Sequence, residues 1–268
     1  MHHRRFAAAV LSVVVSLAGC AKKGPSTGAA PTPSPSSTAP PLTGSGTIFA
    51  AASLTESFNQ LGDEFRKDHP GTSLTFNFGS SGTLATQIVE NGGVADVFAS
   101  ADDANMKKVS DAQLLDGAPR TFARNRLEIA VAPGNPKKVM GLSDLAKPDL
   151  KVVLAAATVP VGRYGAQALS TAKVTVKPVS EEADVKAVLQ KVALGEADAG
   201  IVYETDVKSA AGKVAGVDVP DAQNVIASYP LGVVNKSKNP ALAKAFADFV
   251  LSDEGRKVLA DHGFMAAQ

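Results

Sequence analysis

From Thr47 onward the chain alternates short apolar runs with amphipathic helical stripes, and nothing else in it constrains the fold as strongly. Thr47 to Ala51 (TIFAA) predicts a buried strand. Leu54, Phe58, Leu61 and Phe65 then fall at i, i+4, i+7 and i+11, one apolar face of a helix. Ser73 to Phe78 (SLTFNF) alternates as a strand, and Gly79-Ser80-Ser81-Gly82 turns into a helix carrying Leu84 and Ile88. Further strands are expected at Val94–Ala99, Leu127–Ala132, Val152–Ala156 and Gly200–Tyr203. Val185, Val188, Leu189 and Val192 mark another helical stripe. Asn239 as cap and Pro240 at the first position open a last one, striped by Leu242, Phe246, Phe249 and Val250. Strands alternating with helices imply an α/β fold with mainly parallel sheets flanked by helices. Residues 47–268 approach the size at which single cores divide. The extended segments 127–132 and 227–234 are natural crossings. The expected organisation is therefore two lobes, 47–126 plus 229–268 and 127–228, with a cleft between them.

The first 46 residues are of another kind. Met1 to Arg5 is a short basic start, and Phe6 to Leu17 is apolar but too short to span a bilayer. Leu17-Ala18-Gly19-Cys20 follows. This is the layout of an export signal over residues 1–19. The cysteine directly after Leu-Ala-Gly resembles the bacterial lipobox, in which that cysteine is lipidated and becomes the new N-terminus. Cys20 is the only cysteine in the chain. Cleavage would remove Arg4 and Arg5 and turn the balance of +1 slightly negative. Residues 21–46 hold six Pro and thirteen Gly, Ser or Thr. Such a segment buries no core and suits a disordered tether, reaching roughly 30 to 80 Å. The expectation is a domain lipid-anchored to the outer face of the bacterial membrane, or on its periplasmic side where an outer membrane exists.

Several functions drop out on composition. A near-neutral chain with no basic block lacks the phosphate-neutralising face of a nucleic-acid binder. One cysteine excludes a disulfide framework and any zinc site built on cysteine pairs. Gly79-Ser80-Ser81-Gly82-Thr83 fails the spacing of a nucleophile elbow, and Walker, dinucleotide and HExxH patterns are missing. After residue 19 only His69 and His262 remain, in polar segments suited to surface histidines. The adjacent acids Asp102-Asp103 and Glu181-Glu182 do not face each other on a helix and fit solvated faces or helix-start charges. No catalytic group or side-chain metal site stands out, and a binding protein is expected rather than an enzyme.

Serines at strand ends are the remaining polar signal. Ser53-Leu54-Thr55-Glu56 fits the S/T-x-x-E capping box, and Ser80 or Ser81 can cap the next helix. Capping and ligand binding are compatible at such positions. Helix starts carry unpaired N–H groups and the positive end of the dipole, and in open α/β sheets they lie where ligands bind.

The blocks TIFAAASLTESF, FNFGSSGTLATQI, ADVFASADDANM, VPVGRYGAQAL, EEADVKAVLQKV, GIVYETD and DEGRKVLADHGF run in this order. Together they resemble the molybdate-binding proteins of bacterial ABC importers, members of the two-lobed (type II) periplasmic binding protein class. The resemblance covers essentially all of 47–268. It implies a tetrahedral oxyanion, molybdate or tungstate, held between lobes by uncharged donors, with no cofactor. Carried over by position, Ser53 and Ser81 would each give a hydroxyl and a backbone N–H, Val161 and Val185 a backbone N–H, and Tyr203 its phenol. The implied partners are a membrane permease and its cytoplasmic ATPase, with the binding protein a monomer. A donor-only site rejects hydrogen phosphate, whose proton needs an acceptor, at about 1–3 kcal/mol. A sulfate or phosphate receptor on the same fold is the alternative. Arg163 stands where the family has an apolar residue. The expectation is a surface position; turned into the cleft it would add charge and relax selectivity.

Overall fold

The computed structural model describes residues 41–267; the export signal and Cys20 lie outside the described residues. The elements in chain order are β1 (Gly44–Ala51), α1 (Thr55–Asp68), β2 (Thr72–Gly79), α2 (Ser81–Glu90), β3 (Val97–Ala99), α3 (Asp103–Asp111) and β4 (Arg120–Val131). There follow β5 (Val152–Ala155), α4 (Pro160–Thr171), β6 (Ser180–Glu182), α5 (Val185–Ala193), β7 (Ala199–Tyr203), α6 (Glu204–Ser209) and β8 (Ala215–Asp218). The chain closes with β9 (Ile226–Val233), α7 (Pro240–Val250), α8 (Asp253–Asp261) and β10 (Met265–Ala266). β1 begins before Thr47: Gly44 to Gly46 already pair with Thr72 to Leu74, so the last residues assigned to the tether belong to the first strand.

The strands follow the order β2-β1-β3-β9-β4-β7-β5-β6, with β8 and β10 also paired to β4. At both ends the pairing is parallel, β2-β1-β3 and β7-β5-β6. The middle is antiparallel: β9 lies against β3 and β4, and β4 against β7, β8 and β10. The period of each apolar run fixes that it is a strand, but it carries no sign for direction, which is why the alternation alone suggested a more uniformly parallel sheet. β4 serves two strand sets. Arg120 to Arg126 pair with β9, and Leu127 to Val131 pair with β7 and β8. β9 returns to the first set from Ile226 onward.

The helical stripes are buried as their spacing requires. Leu54, Phe58, Leu61 and Phe65 are wholly buried, each contributing on the order of 1.5–3 kcal/mol of transfer free energy. Phe58 packs against Phe122 at 5.7 Å between centroids, and Phe65 meets Phe246 edge-on at 5.5 Å. Val185, Val188, Leu189 and Val192 of α5 are buried likewise. Asn239 caps α7 by accepting the Leu242 N–H at 3.3 Å.

Candidate functional site

Each parallel set ends in loops that lead into helix N-termini, and four of these converge. A small cavity of about 10 Å³ is lined by Ala51, Ala52 and Ser53 before α1, and by Gly79, Ser80 and Ser81 at the start of α2. Its far wall is Val159, Pro160 and Val161 at the start of α4, Asp184 and Val185 at the start of α5, and Tyr203; Ala101 completes it. Ser53, Ser81, Val161, Val185 and Tyr203 thus share one cavity. Its volume falls far below the 300–1,000 Å³ of drug-sized sites, which restricts it to a very small ligand. The lining contains no Lys, Arg or His.

The serines do not cap. Ser53 lies in a 3-10 turn, Ala52–Leu54, and α1 starts after Leu54 with no side-chain cap. The expected capping box is therefore absent: Ser53 Oγ bonds the Tyr229 hydroxyl at 2.9 Å, and Glu56 reaches Lys186 Nζ at 2.7 Å. Ser80 occupies the N-cap position of α2 without a side-chain bond. Ser81 Oγ accepts the Ala101 N–H at 2.9 Å, which leaves its own proton to donate. For Ser53 and Ser81 the reason is the same: a local pattern does not register a more distant partner that engages the hydroxyl.

On the other wall, Pro160 has no N–H, so the first free donor of α4 is that of Val161. Gly162 is dictated by approach: a Cβ there would lie 2.2 Å from the Ala156 carbonyl oxygen. Gly82 is similarly tight, 3.2 Å from the Thr158 carbonyl oxygen, where α2 meets the loop before α4. Asp184, missed from sequence, is the only carboxylate residue of the lining; its Oδ1 caps α5 by accepting the Ala187 N–H at 3.0 Å.

Tyr203 ends β7 and is 1% exposed. Its backbone N–H donates to Asp206 Oδ2 at 3.1 Å, but its hydroxyl makes no hydrogen bond among the described residues. Burial, reinforced by Tyr229, holds the phenol well above its ordinary titration range, so it keeps its proton and acts as a donor. Asp206 is fully buried, and burial pushes it up to about 6 against the pull of Lys186, 3.3 Å away. Behind Ser53 a polar chain runs inward. Asn125 Nδ2 donates to Thr205 Oγ1 at 2.8 Å and to the Tyr229 hydroxyl at 3.5 Å. Arg163 does not line the cavity and pairs with the buried carboxylate of Asp102, which also caps α3 by accepting the Asn105 N–H at 2.8 Å. Tyr229 and Asn125 gave no sequence signal, since their partners lie far along the chain; Asp102, expected as a solvated-face or helix-start charge, does stand at a helix start but is buried.

The family model of bacterial extracellular solute-binding proteins matches residues 47–265. The chain belongs to that family. Among its relatives is the molybdate-binding protein of Mycobacterium tuberculosis (strain H37Rv), 43% identical over 217 residues, 81% of this chain and 83% of that protein. A solved substrate-binding domain of a molybdenum ABC transporter from Clostridium difficile superposes with a TM-score of 0.63 at 30% identity, covering 84% of this chain and 99% of that one. The sulfate-binding protein SubI of M. tuberculosis superposes with a TM-score of 0.73 at 19% identity, covering 84% and 87%. This solute-binding protein therefore shares its architecture with receptors for different anions, and the fold by itself does not choose among them. Membership does separate it from enzymes: the family binds solutes, in keeping with a site that offers donors and no nucleophile–base pair.

Proposed function

We propose that the protein captures molybdate, and tungstate equally well, for an ABC importer, closing two lobes on the anion. The observation that carries this reading is the lining itself: uncharged donors, four helix starts and a buried phenol with no partner of its own. A dianion leaving water needs dipoles in number, and each hydrogen bond to a charged group contributes roughly 1.5–3 kcal/mol. Helix N-termini add roughly 0.3–2 kcal/mol each and need no counter-ion. A site made this way disfavours a protonated oxyanion, because a P–OH group meets mainly donors and the one carboxylate of the lining, Asp184, already accepts the Ala187 N–H at the start of α5. Sulfate carries no such proton, but its shorter bonds to oxygen leave several donors stretched. The 43% identity to a molybdate-binding protein supports the same choice.

The lobes of this proposal are the two strand sets that β4 joins, and the binding protein works as a monomer. It is exported by residues 1–19, lipidated at Cys20, and docks in its closed form on a permease whose ATPase drives import. Calorimetric titration of the purified protein with molybdate, tungstate, sulfate and phosphate tests the ligand. Molybdate and tungstate should bind tightly and raise the melting temperature by several degrees at saturation, and sulfate and phosphate should do so hardly at all. Tighter binding of sulfate than of molybdate would transfer the protein to the sulfate-receptor reading.

A further inference from the structure

The walls of the cavity come from opposite strand sets, and most of its lining is buried. Ser81, Val161 and Tyr203 are at most 1% exposed, so an ion enters or leaves only when the walls part. Whatever spans the two walls outside the cavity must then break with each passage. Two ion pairs do. Arg163 on α4 meets Asp102 at the start of α3, and Lys186 on α5 meets Glu56 on α1 at 2.7 Å.

The placement of the two cations is telling. Each lies in the first turn of a helix whose opening residue lines the cavity, Arg163 two positions after Val161 and Lys186 one after Val185. A cation there opposes the helix dipole and is unfavourable for the helix itself. Nor does either side chain line the cavity. Asp102 is 3% exposed and needs a counter-charge when the walls meet, because a bare carboxylate beside the lining residue Ala101 would repel a dianion. We infer that Arg163 and Lys186 are positioning residues that clasp the closed walls through Asp102 and Glu56, setting how long the anion is held without adding a cation to the cavity lining. This rests on the reading of the cavity as an oxyanion site.

Partners across a closing interface act mainly on the dissociation rate. Stopped-flow release is measured for whichever of molybdate, tungstate and sulfate the intact protein binds most tightly, so an error in the anion's identity leaves the clasp on trial. Arg163→Ala should speed release about tenfold with an unchanged melting temperature for the ligand-free protein, and Arg163→Lys should recover most of the loss. Asp102→Asn, which keeps the α3 cap, should add little on top of Arg163→Ala. Glu56→Gln should speed release independently, and added salt should accelerate the intact protein more than the Arg163→Ala/Glu56→Gln double variant. Release from Arg163→Ala and Glu56→Gln at the rate of the intact protein overturns the clasp and leaves the site reading standing. Failure of the intact protein to bind any of the three anions overturns the site reading itself.

Discussion

At the scale of single residues, Tyr203 and Ser81 make opposite demands on the ligand-free protein. The Tyr203 phenol is buried without a partner, a cost of about 1–3 kcal/mol that ends only when an acceptor arrives. Ser81 Oγ already ties α2 to the end of β3 through the Ala101 N–H. Tyr203→Phe should therefore leave the ligand-free protein as stable or raise its melting temperature by about 2–4 °C. Ser81→Ala should lower it by a similar amount. Both should weaken molybdate binding at least about tenfold, equivalent to 1.4 kcal/mol. Differential scanning calorimetry reads the first difference and isothermal titration the second; unchanged affinity in both variants removes these residues from the site.

At the scale of elements, β4 and β8 place Glu128 directly opposite Asp218. Burial first, then the charges of Asp218 and Glu204, push Glu128 up to about 7. A carboxyl that titrates higher in the folded chain than in the unfolded one stabilises the fold at low pH. That contribution is fully present below about 4.5 and falls away as pH rises through 7. Glu128→Gln should therefore raise stability above pH 7 by about 0.5 kcal/mol, with half the group open to screening solvent, and change little near pH 4. A melting-temperature profile from pH 4 to 9 checks it. The elements themselves were legible from the chain: the stripes of α1, α5 and α7 and the runs of β1, β2, β5 and β7 form where their period puts them, and Asn239 caps α7 as expected. What stayed hidden was non-local. Ser53 bonds Tyr229 at a separation of 176 residues, and Lys186 bonds Glu56 at 130, distances over which no periodicity speaks. The motif resemblance, rather than any spacing, named Val161 and Val185, because a valine that donates only its main chain looks from sequence like any other core valine.

At the scale of the whole molecule, the proposed lipidation of Cys20 would set where capture happens. A lipid-modified cysteine ahead of the Pro-, Ser- and Thr-rich segment would keep the folded body within roughly 30 to 80 Å of the membrane and prevent its loss to the medium. Replacing Cys20 with Ala in the full-length chain should move the protein from the membrane fraction to the soluble one while leaving oxyanion affinity within about twofold. Fractionation of expressing cells followed by titration of the released protein reads both; retention in the membrane fraction would mean that something other than Cys20 anchors it.

The path of β9 carries a consequence for how the chain is made. β3 has β1 on one side and β9 on the other, yet Ile226–Val233 is synthesised long after Val97–Ala99. At ribosomal speed that interval is on the order of ten seconds. Throughout it the early strands carry an open edge and lack the neighbour that joins them to β4. A newborn chain with this topology is slow to complete its first strand set, and a polypeptide exported through a narrow channel would be well served by remaining unfinished until its tail appears.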